Sequence, residues 1–195
     1  MEIRVRNLCK SYNGRPVLRD VTFTAGPGVT CVMAPSGCGK TTLLRILLGL
    51  ETADGGTVEG TDCRWAAVFQ EDRLLEHLDA AENLRFVLGR DYDGSRVSAL
   101  LAELGLGDVG AKPVREYSGG MRRRLALARA LLAESEALAL DEPFAGLDGE
   151  TRRQAREVLR RRAGARTVLL VTHDPEDAAG LGAETVRLSG RQRAL

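Results

Sequence analysis

A short glycine-rich segment in the first quarter of the chain constrains its fold more than any other feature. Residues 34–42 read Ala-Pro-Ser-Gly-Cys-Gly-Lys-Thr-Thr. They follow an apolar, β-branched run at 29–33 and precede a leucine-rich run at 43–50. This pattern predicts a buried strand, a tight loop and an apolar helix that begins near Lys40.

The loop carries the residue types that hold a phosphate group, in the strand–loop–helix context that a P-loop requires. Glycines let backbone N–H groups turn toward phosphate oxygens, and the helix N-terminus adds a favourable dipole. Lys40 would reach the β- and γ-phosphates of a nucleotide, and the Thr41 hydroxyl would ligate Mg²⁺. Ala34 stands where the strict pattern has glycine, and we expect it to be tolerated with a negative φ. The predicted nucleotide-binding residues of the loop are Ser36, Gly37, Cys38, Gly39, Lys40, Thr41 and Thr42.

The rest of the chain predicts an α/β domain with helices inserted in its middle. The first residues alternate as strands, at 3–8 and 17–24, and a further short strand ends at 68–70. Leucines three and four positions apart predict helices between residues 71 and 132, with Leu84, Val87 and Leu88 on one apolar face. Strands and helices then alternate to the end, which favours a mainly parallel sheet covered on both faces.

Composition excludes several classes of protein. The net charge is +1, so no overall attraction to nucleic acid or anionic lipid is expected. No apolar run approaches the roughly 18 residues that cross a bilayer, so a partner must hold the chain at any membrane where it acts. The four cysteines show no Cys-x-x-Cys spacing, which argues against a zinc site or a disulfide framework.

Further motifs follow one another along the chain. They are Tyr12, Val68-Phe69-Gln70, Ser118-Gly119-Gly120, Asp141-Glu142-Pro143, Gly146-Leu147-Asp148 and Thr172-His173-Asp174. Together with the loop, this ordered series resembles the ATP-binding cassette (ABC) family from Tyr12 to His173. The resemblance implies a P-loop NTPase core with a mainly parallel sheet, an N-terminal antiparallel β part and an inserted helical subdomain. We therefore predict one domain over residues 1–195, with a core of 1–70 and 135–195 and a helical subdomain of 71–134.

The resemblance also implies a role for each motif, with ATP and Mg²⁺ as cofactors. Tyr12 corresponds to the aromatic residue that stacks on adenine. Glu142 corresponds to the general base that polarises the attacking water, and His173 to the histidine that hydrogen-bonds the γ-phosphate. The implied catalytic residues are Glu142, His173, Lys40 and Gln70, and the implied metal ligands are Thr41, Gln70 and Asp141.

Two helix-start anion sites, at Lys40 and at Ser118, are too far apart in members of this family to grip one phosphate within a subunit. The resemblance therefore implies a head-to-tail homodimer, or a pair with a related ATPase subunit. Ser118, Gly119, Gly120 and Asp148 would contact the ATP of the partner chain. Met121 replaces the glutamine common in the family's signature, so the polar contact of that glutamine is missing.

The function implied is the ATP-hydrolysing subunit of an ABC transporter. It would lie in the cytoplasm, on the inner face of the membrane, where a groove around residues 70–78 receives a helix of a permease subunit. A solute-binding protein is a further partner of such systems. The segment Phe69-Gln-Glu-Asp-Arg-Leu-Leu75 resembles importer subunits for nitrate, sulfonate and taurine-type anions.

Alternatives remain at this point. A stand-alone iron–sulfur assembly ATPase of the same family would share all these motifs. A binding module with an inactive nucleotide site is disfavoured because Glu142 and His173 are both present. The arginine-rich stretches, at 122–124 and along 152–166, are interpreted as solvated helix faces. No aromatic residues are interleaved with them for base stacking, so no nucleic acid partner is expected.

Overall fold

A computed structural model of the chain describes residues 1–35 and 37–188. Its strands are β1 (Ile3–Tyr12), β2 (Arg15–Ala25), β3 (Gly28–Met33), β4 (Gly55–Glu59), β5 (Trp65–Val68), β6 (Ala137–Asp141), β7 (Thr167–Thr172) and β8 (Glu184–Arg187). Its helices are α1 (Lys40–Leu47), α2 (Ala80–Leu88), α3 (Gly94–Glu103), α4 (Gly119–Leu132), α5 (Gly149–Arg162) and α6 (Pro175–Leu181).

Two sheets make up the β structure, and they confirm the predicted fold class. Five parallel strands form one sheet in the order β5-β6-β7-β3-β8, and three antiparallel strands form the other in the order β2-β1-β4. In the parallel sheet, Met33 of β3 pairs with Thr172 of β7, and Leu140 of β6 pairs with Leu170. The carboxyl ends of these three strands therefore meet at one edge, where a P-loop protein binds its ligand.

The parallel sheet is covered on both faces, as its apolar strands predict. All residues of β6 and β7 are buried. Leu138 and Leu170 belong to the cluster that includes helices α2–α6, whereas Leu169 and Val171 belong to the cluster that includes α1 and the antiparallel sheet. Successive side chains thus enter opposite cores, which fixes the register of the strands.

The antiparallel part contains two features that the sequence analysis did not predict. Strand β4 pairs with β1, with Val58 opposite Val5. Strands β1 and β2 extend to a two-residue turn in which Asn13 and Gly14 both have positive φ, at 50° and 72°. Such Asn-Gly turns match the twist of a hairpin, and this one places Tyr12 at the hairpin's end.

The middle of the chain is helical, as predicted, with some differences. Leu84 and Leu100 are buried, but Val87 is 47% exposed and Leu50 is 55% exposed. Val87 was expected on the apolar face of its helix, and Leu50 lies outside the core because α1 ends at Leu47. A capping box between Asp79 and Glu82 begins α2. The division into a core of 1–70 and 135–195 and a helical subdomain of 71–134 stays a prediction.

Across the described ranges, no helix combines the length and the apolar character needed to span a bilayer.

Candidate nucleotide-binding site

The glycine loop between β3 and α1 adopts the geometry that a phosphate-binding loop needs. Gly37 and Gly39 have φ of 80° and 83°, in the left-handed region that favours glycine. A Cβ atom at Gly39 would lie 2.7 Å from a methyl carbon of Leu18, so the close approach of the hairpin also requires glycine. Ala34 is not among the residues with positive φ, which agrees with its expected tolerance. Ser36 lies outside the described residues.

Lys40 begins α1 and points back along the loop. Its side chain is only 9% exposed, and its Nζ donates a hydrogen bond to the Ala34 carbonyl oxygen at 2.6 Å. The loop therefore holds its cation against its own backbone, beside the N-terminus of α1. A phosphate group at this position would meet an ammonium and helix N–H donors together.

A carboxylate and a hydroxyl meet at the end of β6, where a magnesium site was predicted. The Thr41 Oγ1 donates a hydrogen bond to Asp141 Oδ2 at 2.6 Å, and Asp141 is 2% exposed. Burial raises the pKa of Asp141 above its ordinary value, although the hydrogen bond from Thr41 lowers it. The pKa of this buried carboxylate stays raised although the charges of Lys40 and Arg123 lower it, so the Thr41–Asp141 pair can accept further positive charge and fits a Mg²⁺ ion bound jointly with phosphate oxygens. Within the described ranges no cluster of three or more acidic, cysteine or histidine side chains forms a metal site of its own.

Glu142, the next residue, is held in an unusual backbone conformation. Its φ is 50°, which is strained for a glutamate. Its backbone N–H donates to the Val171 carbonyl at 2.8 Å, and its Oε1 lies 2.8 Å from His173 Nδ1 and 3.6 Å from Lys40 Nζ. The carboxylate thus stands between the loop cation and the histidine. The strained turn directs the side chain into the cleft at the end of the sheet.

A cleft of about 300 Å³ brings most of the predicted residues together. Its lining consists of Tyr12, Val17, Gly37, Gly39, Lys40, Thr41, Thr42, Gln70, Asp141 and Glu142. Cys38 lines an adjoining cavity that shares Tyr12, Val17 and Gly37 with this cleft. Gln70 forms one wall, while its role as a metal ligand stays a prediction.

Tyr12 is fixed by a cluster that the sequence analysis missed. The Tyr12 hydroxyl donates to Glu51 at 3.1 Å, and Lys10 Nζ lies 5.3 Å from the ring centroid. Lys10 in turn pairs with Glu51 at 3.0 Å and donates to the Thr52 carbonyl at 2.7 Å. The hydrogen bond from Lys10 is the main reason that the pKa of Glu51 is lowered. No sequence pattern predicts this cluster, because its members come from β1 and the loop after α1.

The signature serine and the later aspartate occupy helix starts rather than the cleft. Ser118 caps α4, where its Oγ accepts the Met121 N–H at 3.2 Å. Asp148 caps α5, where its carboxylate accepts the Thr151 N–H at 3.0 Å. The described residues that line the cleft include neither of them, nor Gly119 or Gly120. Within one chain, the two predicted groups of ATP contacts are therefore separate.

The run at 122–124 was interpreted as a solvated face, and the structure shows that this is wrong: Arg123 is buried, and Arg122 and Arg124 are half-buried and donate to backbone carbonyls. Arg123 is 8% exposed and donates to the carbonyl oxygens of Phe69 at 2.7 Å and Gln70 at 2.6 Å. Arg129, two turns further along α4, donates to the Asp72 and Arg73 carbonyls at 2.9 Å and 2.6 Å. The helix that begins at Ser118 therefore holds the backbone around Gln70 in place.

The arginines of α5 differ from one another in their exposure and in their ion-pair partners. Arg153 and Arg160 are exposed and pair with glutamates one turn away on the helix, as expected. Arg152 instead reaches a buried aspartate, Asp177, at 2.7 Å. A count of arginines cannot separate these cases, because the difference depends on what lies opposite each side chain.

At the carboxyl edge of the parallel sheet, a glycine loop and a helix N-terminus follow β3, and an acidic pair lies at the end of β6. These features define a P-loop nucleotide-binding ATPase. The chain matches the family described as "ABC transporter" over residues 18–145, and it belongs to that family. Within the family it is an ATP-binding subunit, and therefore an ATPase.

Similar proteins agree with this assignment. The chain is 40% identical to "Aliphatic sulfonates import ATP-binding protein SsuB 1" of Xanthomonas axonopodis pv. citri, over 93% of this chain and 79% of that protein. It is 38% identical to "Taurine import ATP-binding protein TauB" of Yersinia pestis bv. Antiqua, over 96% of this chain and 79% of that protein. The resemblance to importer ATPases is thus confirmed, and the iron–sulfur assembly alternative gains no support.

A solved structure supports the fold independently. The structure entitled "Structure of ATP binding subunit of ABC transporter" superposes with a TM-score of 0.83, at 23% identity, over 96% of this chain and 86% of that one. At that identity the similarity concerns the fold alone.

Proposed function

We propose that this chain hydrolyses ATP to drive an importer whose cargo is an organic anion of the sulfonate class. The observation that carries the ATPase chemistry is the meeting of Lys40, Glu142 and His173 within hydrogen-bonding or ion-pair distance at one edge of the sheet. The cargo class is supported by the names of the relatives, which import aliphatic sulfonates and taurine. No residue of the described chain is assigned to cargo recognition.

In the proposed mechanism, Gly37, Gly39 and Lys40 hold the β- and γ-phosphates. Mg²⁺, when bound by Thr41, Asp141 and Gln70, would neutralise charge on the phosphate oxygens. Tyr12 would stack on the adenine ring with the face that is free of Lys10. The Lys40 ammonium is preorganised for this task, because the Ala34 carbonyl already fixes its position in the cleft.

Glu142 is proposed to polarise the attacking water. Its carboxylate is 14% exposed and borders the cleft, where a water in line with the γ-phosphate would lie. His173 holds one carboxylate oxygen at 2.8 Å and would hydrogen-bond the γ-phosphate from the same side. Little covalent chemistry is required of the protein, since positioning and charge stabilisation supply most of the rate in phosphoryl transfer.

A second copy, or a related ATPase subunit, would complete the site. Ser118, Gly119, Gly120 and Asp148 are placed at helix starts outside the cleft of their own chain. A helix N-terminus with exposed N–H groups is an anion site without a ligand in its own subunit. A head-to-tail dimer would bring this site over the γ-phosphate held by the partner's loop.

The remaining partners follow from the importer role. Permease subunits would dock against the groove around residues 70–78 and hold the chain on the cytoplasmic face of the membrane. The exposed apolar side chains of Phe86 and Val87, which are 72% and 47% exposed, lie on α2. A solute-binding protein would deliver the anion to the permease.

The direct test replaces Glu142 by glutamine, which keeps the shape and removes the charge. Loss of a general base costs about 10²- to 10⁴-fold in turnover, so Glu142→Gln should bind ATP and release phosphate at least 100-fold more slowly. Light scattering should then find ATP-dependent dimers. Glu150→Gln, on the exposed face of α5, is the matched control. Wild-type turnover in the Glu142 variant would refute the assignment, and copurification with a permease tests the importer role separately.

A further inference from the structure

Three polar side chains behind the cleft are not explained by nucleotide binding. Thr172 ends β7 and Asp177 lies in α6, and they are 0% and 1% exposed. A buried carboxylate is costly unless it is paired. Arg152 of α5 pairs with it through two hydrogen bonds, at 2.8 Å and 2.7 Å, and Arg156 lies 3.6 Å away. The aspartate is therefore fixed by these arginines, of which Arg152 also pairs with Asp174 at 2.7 Å.

The Thr172 hydroxyl stands between this aspartate and Glu142. Its Oγ1 lies 2.9 Å from Asp177 Oδ2 and 3.4 Å from Glu142 Oε2, and it accepts the Asp174 N–H at 3.1 Å. A hydroxyl has one proton, so it can donate to one of the two carboxylates at a time. Asp177 keeps both Arg152 bonds in either case.

Glu142 depends more on this hydroxyl than Asp177 does. His173 contacts Oε1, whereas among the described residues Thr172 is the hydrogen-bond partner of Oε2. A carboxylate held at both oxygens has a defined orientation. A carboxylate held at one oxygen can rotate, and small displacements of a reacting group cost large factors in rate.

We propose that Thr172 is a positioning residue for Glu142, and that Asp177 and Arg152 hold the threonine in place. The inference rests on the proposed function of Glu142 as the base. Thr172 is β-branched and buried, so its χ1 is restricted, and the rotamer that places Oγ1 2.9 Å from Asp177 also places it 3.4 Å from Glu142 Oε2. Since Arg152 already pairs with Asp177, the Thr172 proton can be donated to Glu142 without leaving Asp177 unpaired.

The contacts from Glu142 through Thr172 and Asp177 to Arg152 also connect Glu142 to the first turn of α5. The Arg152 backbone N–H donates to the Asp148 carbonyl at 2.8 Å, so the two residues share that turn. Asp148 is the residue proposed to reach the partner's ATP. A shift of this turn on dimer closure would therefore act on Glu142 through Arg152, Asp177 and Thr172.

The test compares three variants in steady-state ATPase assays. Loss of one hydrogen bond to a charged group corresponds to a change of about tenfold, so Thr172→Val should lower kcat by about tenfold and leave KM for ATP unchanged. Thr172→Ser keeps the hydroxyl and should restore kcat. Thr167→Val is the matched control, because Thr167 is a fully buried threonine of the same strand whose hydroxyl bonds only the Met1 carbonyl among the described residues.

A second measurement asks whether Thr172 acts through Glu142. In the Glu142→Gln background, Thr172→Val should cause no further loss of residual turnover, because the base is already absent. Wild-type kcat for Thr172→Val, equal losses for the valine and serine variants, or an additive loss in the double variant would each overturn the proposal. Should the valine variant fail to unfold cooperatively, Thr172→Ala also removes the hydroxyl and supplies the same comparison, and a kcat equal to wild type would again refute it. The proposed function fails separately if Glu142→Gln alone retains its turnover.

Discussion

Replacing Arg123 by methionine should destabilise the chain and loosen the backbone around Gln70. The arginine is 8% exposed and donates to two carbonyl oxygens, those of Phe69 and Gln70. It also lies 3.1 Å from Asp72 Oδ1, an ion pair whose angle does not make a hydrogen bond. Methionine matches the length of the aliphatic part and removes all three interactions.

The size of the destabilisation follows from the Asp72 carboxylate, which loses its partner when Arg123 is replaced. Breaking a buried pair by removing one partner costs about 3–5 kcal/mol. The Asp72 side chain is 21% exposed, so water relieves part of this penalty and the lower end applies. We therefore expect a loss of about 3 kcal/mol in the free energy of unfolding. A domain with a stability of about 5–15 kcal/mol remains folded after such a loss, so the variant can be measured.

The dependence on pH has a defined sign. Burial raises the pKa of Asp72 above its ordinary value, and Arg123 opposes that shift. A raised pKa means that the folded chain binds this proton more readily than the unfolded chain, so stability falls as the pH rises through the folded pKa. Without Arg123 the pKa of Asp72 rises further. The destabilisation by Arg123→Met should therefore be larger at about pH 7 than at about pH 5.

Urea denaturation followed by the fluorescence of Trp65, the single tryptophan, measures these changes. Adding Asp72→Asn to Arg123→Met should recover about 1–2 kcal/mol, because a buried amide costs less than an unpaired carboxylate. The exposed Arg153→Met is the control and should change stability by less than about 1 kcal/mol. A loss below about 1 kcal/mol for Arg123→Met, or no recovery in the double variant, would refute the reasoning.

Three other substitutions test residues in the cleft and beside it. Lys40→Ala should abolish measurable binding of a fluorescent ATP analogue, while the exposed Lys112→Ala should not; tight binding after the loss of Lys40 would count against its role. His173→Ala should bind ATP but release phosphate at least about tenfold more slowly, and unchanged turnover would remove it from the mechanism. Glu51→Gln should weaken ATP binding about threefold with kcat unchanged, because Tyr12 loses its fixed hydroxyl; an unaltered Kd would show that Glu51 does not order that ring.

Much of the site could be predicted because its chemistry is local in sequence. The loop at 34–42 needs glycines in left-handed conformations beside a lysine, and those requirements are met within nine consecutive residues. Asp141 and Glu142 follow an apolar run that had to be a central strand. Parallel strands then bring their carboxyl ends to one edge, so Lys40, Glu142 and His173 meet without further information.

The parts that escaped prediction depend on long-range pairing. Strand β4, at 55–59, has little β-propensity of its own and exists because β1 offers it a partner. Arg123 looks like its neighbours in sequence, yet the carbonyls of Phe69 and Gln70 lie opposite it alone. Val87 continues a leucine pattern on α2, but it faces outward because no described element covers that side of the helix.

The hydrogen bonds between α4 and residues 70–73 have a consequence for how two subunits would move together. Arg123 and Arg129 hydrogen-bond that segment to α4. A displacement of residues 70–73 would therefore move the helix as a whole, including its first turn at Ser118. In the proposed dimer, that turn caps the nucleotide of the neighbouring copy. A membrane subunit that contacts one copy would therefore change the rate of ATP hydrolysis in the site whose loop belongs to the other copy. Each of the two ATP molecules would then respond to the membrane subunit on the opposite side of the proposed dimer.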